Sequence, residues 1–144
     1  MPRLSLDDGC FPAAVAVLLY LNTLPNGFVY DDHPAIEQNP CVQGDGEWMQ
    51  LLLRDFWGTQ LNSPSSHHSY RPLSTLTLRL NRMVDPHGGA RGFHAVNVII
   101  HGAVSYMLWD AAKLALGTCG RGPPLLASLL FAVHPVNSEA VAYC

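Results

Sequence analysis

Charge is what this 144-residue sequence has least of. Asp, Glu, Lys and Arg make up 13% of it, where a soluble domain carries about 25%. Lysine occurs once, at Lys113, and the eight basic groups stand apart, with no basic block to follow a nucleic-acid backbone. Nucleic acid is therefore excluded as a partner. The four cysteines, Cys10, Cys41, Cys119 and Cys144, form no C-x-x-C pair and no Cys/His ligand spacing. That argues against a zinc site and a dense disulfide framework. No internal repeat or low-complexity tract interrupts the chain.

What is present is apolar, 49% of all residues, and it is concentrated in charge-free windows. Residues 9–30, 92–109 and 122–138 contain no Asp, Glu, Lys or Arg. A membrane span needs roughly 17 to 25 residues. The first two windows reach that length, and the third, with its apolar part PPLLASLLFAV, is shorter. A cleavable signal peptide competes for the first window, because Arg3 precedes a short apolar stretch. Asp7 and Asp8 crowd its n-region, and LNTLPNGF offers no small-x-small cleavage site. The remaining competitor, a soluble helical core, is disfavoured by the scarcity of charge.

Lys113 and Arg121 sit in the loop after the second window, which the positive-inside tendency places in the cytoplasm. Alternation then divides the chain into a cytoplasmic N-terminus (1–9), a first transmembrane helix (10–25), a luminal loop (26–91), a second transmembrane helix (92–109), a cytoplasmic loop (110–122), a third membrane segment (123–134) and a luminal end (135–144). The expectation is a mainly α, multi-span membrane protein. On this topology Asp31, Asp32 and Glu139 share one compartment, and Cys41 and Cys144 are the cysteines free to pair across it.

Two amphipathic segments lie in the large loop. Asp45 is placed to cap a helix from about Glu47 to Trp57, with Trp48, Leu51, Leu52 and Phe56 on one face and Gly58 as its stop. A second helix starts at Pro72, with Leu73, Leu76, Leu80 and Met83 on one stripe and Arg71, Thr75 and Arg82 on another. LTLRLN also alternates with period two, so a strand is open there. As helices, both would lie in the membrane interface. In the second window, His94, Asn97, His101 and Ser105 line one helix face. Such groups are costly against lipid, so they serve either as hydrogen-bonding glue between helices or as chemistry. Three spans scarcely shield that face, which points to missing partners or missing sequence.

Five blocks in order, FVYDDHPAI, DFWGTQL, SYRPLSTLTLRLN, FHAVNVIIH and LLFAVHPVNSEAVA, resemble the N-terminal part of the transmembrane O-mannosyltransferases that target cadherins and end in tetratricopeptide repeats. The resemblance implies the N-terminal part of a type C glycosyltransferase fold in the endoplasmic reticulum membrane, multi-pass. It implies dolichyl phosphate mannose as donor substrate and Ser or Thr hydroxyls of cadherin-like extracellular domains as acceptors. By position, it makes Asp31 and Asp32 the active-site acidic pair.

A carboxylate beside the acceptor hydroxyl makes chemical sense, because a positioned base assists attack on the anomeric carbon by about 10² to 10⁴. One aspartate suffices as base, with Asp31 slightly favoured; the other would orient a residue, hold the acceptor or bind a divalent cation, whose requirement stays open. Asp32, ahead of His33 and Pro34, also has the simple reading of a turn or helix cap. Arg71 is the leading candidate for the donor's phosphate, since a guanidinium matches phosphate oxygens bidentately, with Arg79 and then Arg82 behind it. Arg71 could equally snorkel to headgroups. Glu139 and His134, past the third segment, are candidate acceptor or metal contacts, and Glu139 has the plain reading of a solvated cap. His67, His68 and His134 suit a metal by type, but their spacing does not support one.

Two positions depart from the family pattern: His68 stands where a lysine is usual, and Asn137 where a histidine is usual. The family also continues beyond the position of Cys144, so the expectation is an N-terminal fragment or truncated form, inactive alone. The alternative is a non-catalytic membrane protein or truncated isoform acting as an interaction partner or adaptor.

Overall fold

The computed structural model describes residues 6–45, 47–87, 89–117 and 120–143. They are mainly helical, and the described residues contain no strand beyond an isolated antiparallel bridge between Arg54 and Gln60. Seven helices follow in order: α1 (Leu6–Tyr20), α2 (Pro40–Gln43), α3 (Gln50–Leu53), α4 (Pro72–Val84), α5 (Arg91–Leu116), α6 (Gly122–Val133) and α7 (Asn137–Ala142). A single wide π turn, His33–Glu37, precedes α2. The chain divides into two units, one formed by α1 with the residues from His94 onward, the other by Gly27–Phe93.

In the first unit, glycine sets how closely the helices pack. A Cβ on Gly9 would come within 2.8 Å of the Tyr106 ring, and one on Gly102 within 2.8 Å of the Val17 side chain, so α1 and α5 meet where side chains are missing. α1 also packs on α6. The Thr23 hydroxyl donates to the Tyr20 carbonyl at 2.7 Å, and the chain leaves α1 through a 3-10 turn, Leu21–Thr23, ahead of Pro25.

The polar stripe of α5 lies inside this unit. His94, His101 and Ser105 are buried. His101 Nε2 lies 3.1 Å from the Ala132 carbonyl oxygen near the end of α6, and its ring is held between Tyr20 and Phe131, with centroids 5.1 and 5.5 Å away. Asn97 donates to the Tyr143 carbonyl at 2.5 Å. The expectation that the chain scarcely shields this face is corrected for His101 and Asn97, which meet the Ala132 and Tyr143 carbonyls, while the Ser105 hydroxyl donates to the His101 carbonyl on α5 itself.

The outer surface is apolar instead. Leu18, Leu19, Ile99, Ile100, Met107, Leu126 and Leu130 are all exposed. No helix among the described residues is long and apolar enough to cross a membrane. α1 has 15 residues, a rise of about 22 Å. α5 has 26, but carries the polar stripe within it.

The second unit buries Ala35, Ile36, Cys41, Val42, Leu51 and Phe93 beneath α4 and the π turn. α4 starts at Pro72, and its 13 residues make the segment a helix rather than a strand. It turns Thr75 and Arg79 inward and leaves Leu73, Leu80 and Met83 exposed, Leu73 by 77%. Of the stripe expected from the sequence, Leu73, Leu80 and Met83 are thus exposed and Leu76 is half-buried.

The helix expected over 47–57 is reduced to α3, four residues capped at Met49 without a side-chain bond, and Asp45 does not cap it. The cause lies at its far end. Arg54 is extended, and the Asp55 N–H donates to the Thr59 carbonyl at 2.8 Å, so a tight turn wins over continued helix. Cys41 is a buried free thiol, while Cys119 and Cys144, and with them the possible Cys41–Cys144 pairing, lie outside the described residues.

Candidate functional site

The acidic pair sits on a turn of unusual backbone. Tyr30 has φ +42°, a left-handed value that bulky residues rarely take, and its side chain is exposed. Asp31 and Asp32 follow it directly, and their environments differ. Asp32 is 1% exposed, and its Oδ2 accepts the Val29 N–H at 2.9 Å, closing the turn from inside. Asp31 is exposed, and its backbone carbonyl accepts the Ala35 N–H at 3.0 Å. Beside them, His33 Nδ1 meets Glu37 Oε2 at 2.5 Å on the surface.

The candidate arginines divide in the same way. Arg71 is exposed, with its guanidinium carbon 5.3 Å from the centre of the Phe56 ring. Arg79 is buried and stacks over Trp48 at 4.1 Å. Arg82 donates to the Pro86 carbonyl at 3.4 Å and lies 5.8 Å from the Phe93 ring centre. Of the three, Arg71 presents its charge to solvent most openly.

One carboxylate that sequence reasoning passed over organises the loop between α3 and α4. Asp55 is buried, and its two oxygens accept four bonds: from the N–H groups of Trp57 (3.1 Å), Thr59 (2.9 Å) and His67 (3.2 Å), and from the Ser66 hydroxyl (2.7 Å). Burial pushes its carboxyl up, but the Ser66 hydroxyl and the three N–H donors outweigh it, and the group sits below its ordinary value. Asn39, also fully buried, ties this loop to α2: its amide donates to the Phe56 carbonyl at 2.9 Å, and its oxygen accepts the Cys41 N–H at 3.0 Å. The Cys41 thiol is pushed up by burial, against the opposing pull of Arg54 and Arg79. The available signal for Asp55 was the string DFWGT, an Asp followed by a turn glycine, but its partners at Ser66 and His67 lie too far along the chain to be read locally.

No group of three His, Cys, Asp or Glu able to hold a metal ion occurs among the described residues. His67 is exposed, with its ring edge-on to Trp57, and His68 is exposed with φ +52°. In the first unit, His134 Nδ1 accepts the Val136 N–H at 3.1 Å, a turn-closing role, and Glu139 lies exposed in the first turn of α7.

Over 139 residues the chain is 41% identical to the protein O-mannosyl-transferase Tmtc2 of Drosophila melanogaster, covering 96% of this chain and 15% of that protein. It is 46% identical over 136 residues to the protein O-mannosyl-transferase Tmtc1 of the same species, covering 93% and 15%. With the human protein O-mannosyl-transferase TMTC2 the identity is 42% over 132 residues, covering 90% and 15%. The chain therefore spans under a fifth of the length of these relatives. No family model and no solved structure matches it.

Proposed function

Because the chain belongs to the protein O-mannosyl-transferase family, we propose that residues 27–93 form the acidic side of a mannosyl-transfer site at the luminal face of the endoplasmic reticulum membrane. The donor is dolichyl phosphate mannose, and the acceptor is a Ser or Thr hydroxyl of a cadherin-like domain. α1, α5 and α6 lie in the bilayer as part of a multi-span, type C glycosyltransferase assembly. Their exposed leucines and isoleucines support this placement. α3 and α4 rest in the interface on Leu52, Leu53, Leu73, Leu80 and Met83, which are exposed together with Trp48.

The observation that supports the reading is the split between the two aspartates: Asp32 is buried and bonded to Val29, and Asp31 is exposed. Asp31 takes the proton of the acceptor hydroxyl as its oxygen bonds to the anomeric carbon. The bond from that carbon to the phosphate oxygen breaks, and dolichyl phosphate leaves with its charge facing Arg71. Asp32 keeps the turn, and so Asp31, in place.

The test is a chimera in which this chain replaces the matching segment of Drosophila Tmtc2. Reconstituted in liposomes, it should transfer mannose from dolichyl phosphate mannose to a purified cadherin domain, and lose that transfer when Asp31 and Asp32 are both changed to Asn. Parental transfer by the double variant would defeat the proposal.

A further inference from the structure

We propose that Asp55 is a positioning residue for the donor's phosphate, acting on Arg71 through Phe56; this rests on the reading of Arg71 as the phosphate ligand. Three connections carry the inference. Asp55 draws in the N–H groups of Trp57, Thr59 and His67 and the Ser66 hydroxyl, so the segment from 55 to 67 closes around one buried charge. Phe56, the next residue, is clamped on both backbone sides: its N–H donates to the Ser69 carbonyl at 2.8 Å, and its carbonyl accepts the Asn39 amide at 2.9 Å. Its ring then lies 5.3 Å from the Arg71 guanidinium carbon.

A cation over an aromatic face keeps its N–H edges free. The Phe56 ring therefore restrains a long, exposed side chain without consuming the donors that would meet phosphate. An unrestrained Arg71 would have to lose its rotamer freedom on binding. Loss of the Asp55 charge lets the loop relax and returns that cost to donor binding. Asp31 stands on a separate turn, so its rate of proton removal is left unchanged.

The measurement is a double-mutant cycle in the chimera, reading KM for dolichyl phosphate mannose and kcat separately. Arg71→Ala should raise the donor KM about tenfold and also lower kcat, because the same guanidinium faces the phosphate as it leaves, and Asp55→Asn should raise the donor KM about tenfold through that side chain. The pair together should do no more than Arg71→Ala alone. Ser66→Ala, which removes one of four donors and keeps the loop, should raise KM about threefold and likewise add nothing to Arg71→Ala. It stands in for Asp55→Asn should that variant fail to fold. If Arg71→Ala leaves the donor KM unchanged, the phosphate reading of Arg71 fails and the inference falls at its premise. If Arg71→Ala raises KM but the Asp55 and Ser66 variants leave it unchanged, or multiply with Arg71→Ala, the positioning role alone is overturned.

Discussion

At the scale of single residues, two aspartates adjacent in sequence have opposite environments on a turn that follows Tyr30, whose backbone is left-handed. Adjacent like charges repel, and the fold relieves this by giving Asp32 the Val29 N–H while Asp31 stays in water. The pair itself was legible in the sequence. That one carboxylate is buried and the other exposed was not, since that depends on the turn that holds them. Asp55 was less legible still, because its donors come from positions 57, 59, 66 and 67. Its carboxyl lies below its ordinary 3.8, so the stability it supplies is complete above that pH and is lost as pH falls through the lowered folded value. Amide protection at Thr59 and His67, taken relative to the intrinsic exchange rate at each pH, should fall on acidification below about 4. Asp55→Asn should show fast exchange already at neutral pH. Gly58 adds a second check. Its φ is +84°, and a Cβ there would sit 2.7 Å from Asn39 Oδ1, so Gly58→Ala should cost about 2 to 4 kcal/mol in chemical denaturation.

At the scale of elements, helical periodicity pointed to α4, with a strand left open, and a charge-free window over 92–109 located most of the long helix α5. Periodicity failed at the helix expected over 47–57. There the apolar pattern is sound, but the turn around Asp55 competes for the same backbone and leaves only Gln50–Leu53 helical. The stripe on α5 was read as a face needing partners beyond this chain, whereas His101 and Asn97 find theirs at the Ala132 and Tyr143 carbonyls. His101 supplies the clearest link, because it meets a carbonyl in the last turn of α6, where helical carbonyls lack partners of their own. His101→Leu should therefore destabilise the α1–α5–α6 unit by about 1 to 3 kcal/mol, measured by reversible unfolding in detergent micelles. An unchanged midpoint would show that this contact contributes nothing.

At the scale of the whole molecule, both units share a feature that composition alone announced: charge is scarce, and much of what is exposed is apolar. The family relation was legible because five blocks survive in order, even though the chain spans only 15% of the length of the Drosophila and human relatives compared above. The arrangement of a catalytic site across a larger assembly is not written in local pattern, since it depends on which surfaces meet. On the proposed topology, N-glycosylation acceptor tags placed within residues 62–69 should be modified in microsomes, and tags between Lys113 and Arg121 should not.

The division between the paired aspartates is tested most directly by kcat in the Tmtc2 chimera, with Asp31→Asn and Asp32→Asn compared side by side at saturating donor and acceptor. Asp31→Asn should lower kcat by about 10² or more while amide exchange across residues 27–93 stays parental; Asp32→Asn should speed exchange at Val29. Parental kcat in Asp31→Asn would contradict the account.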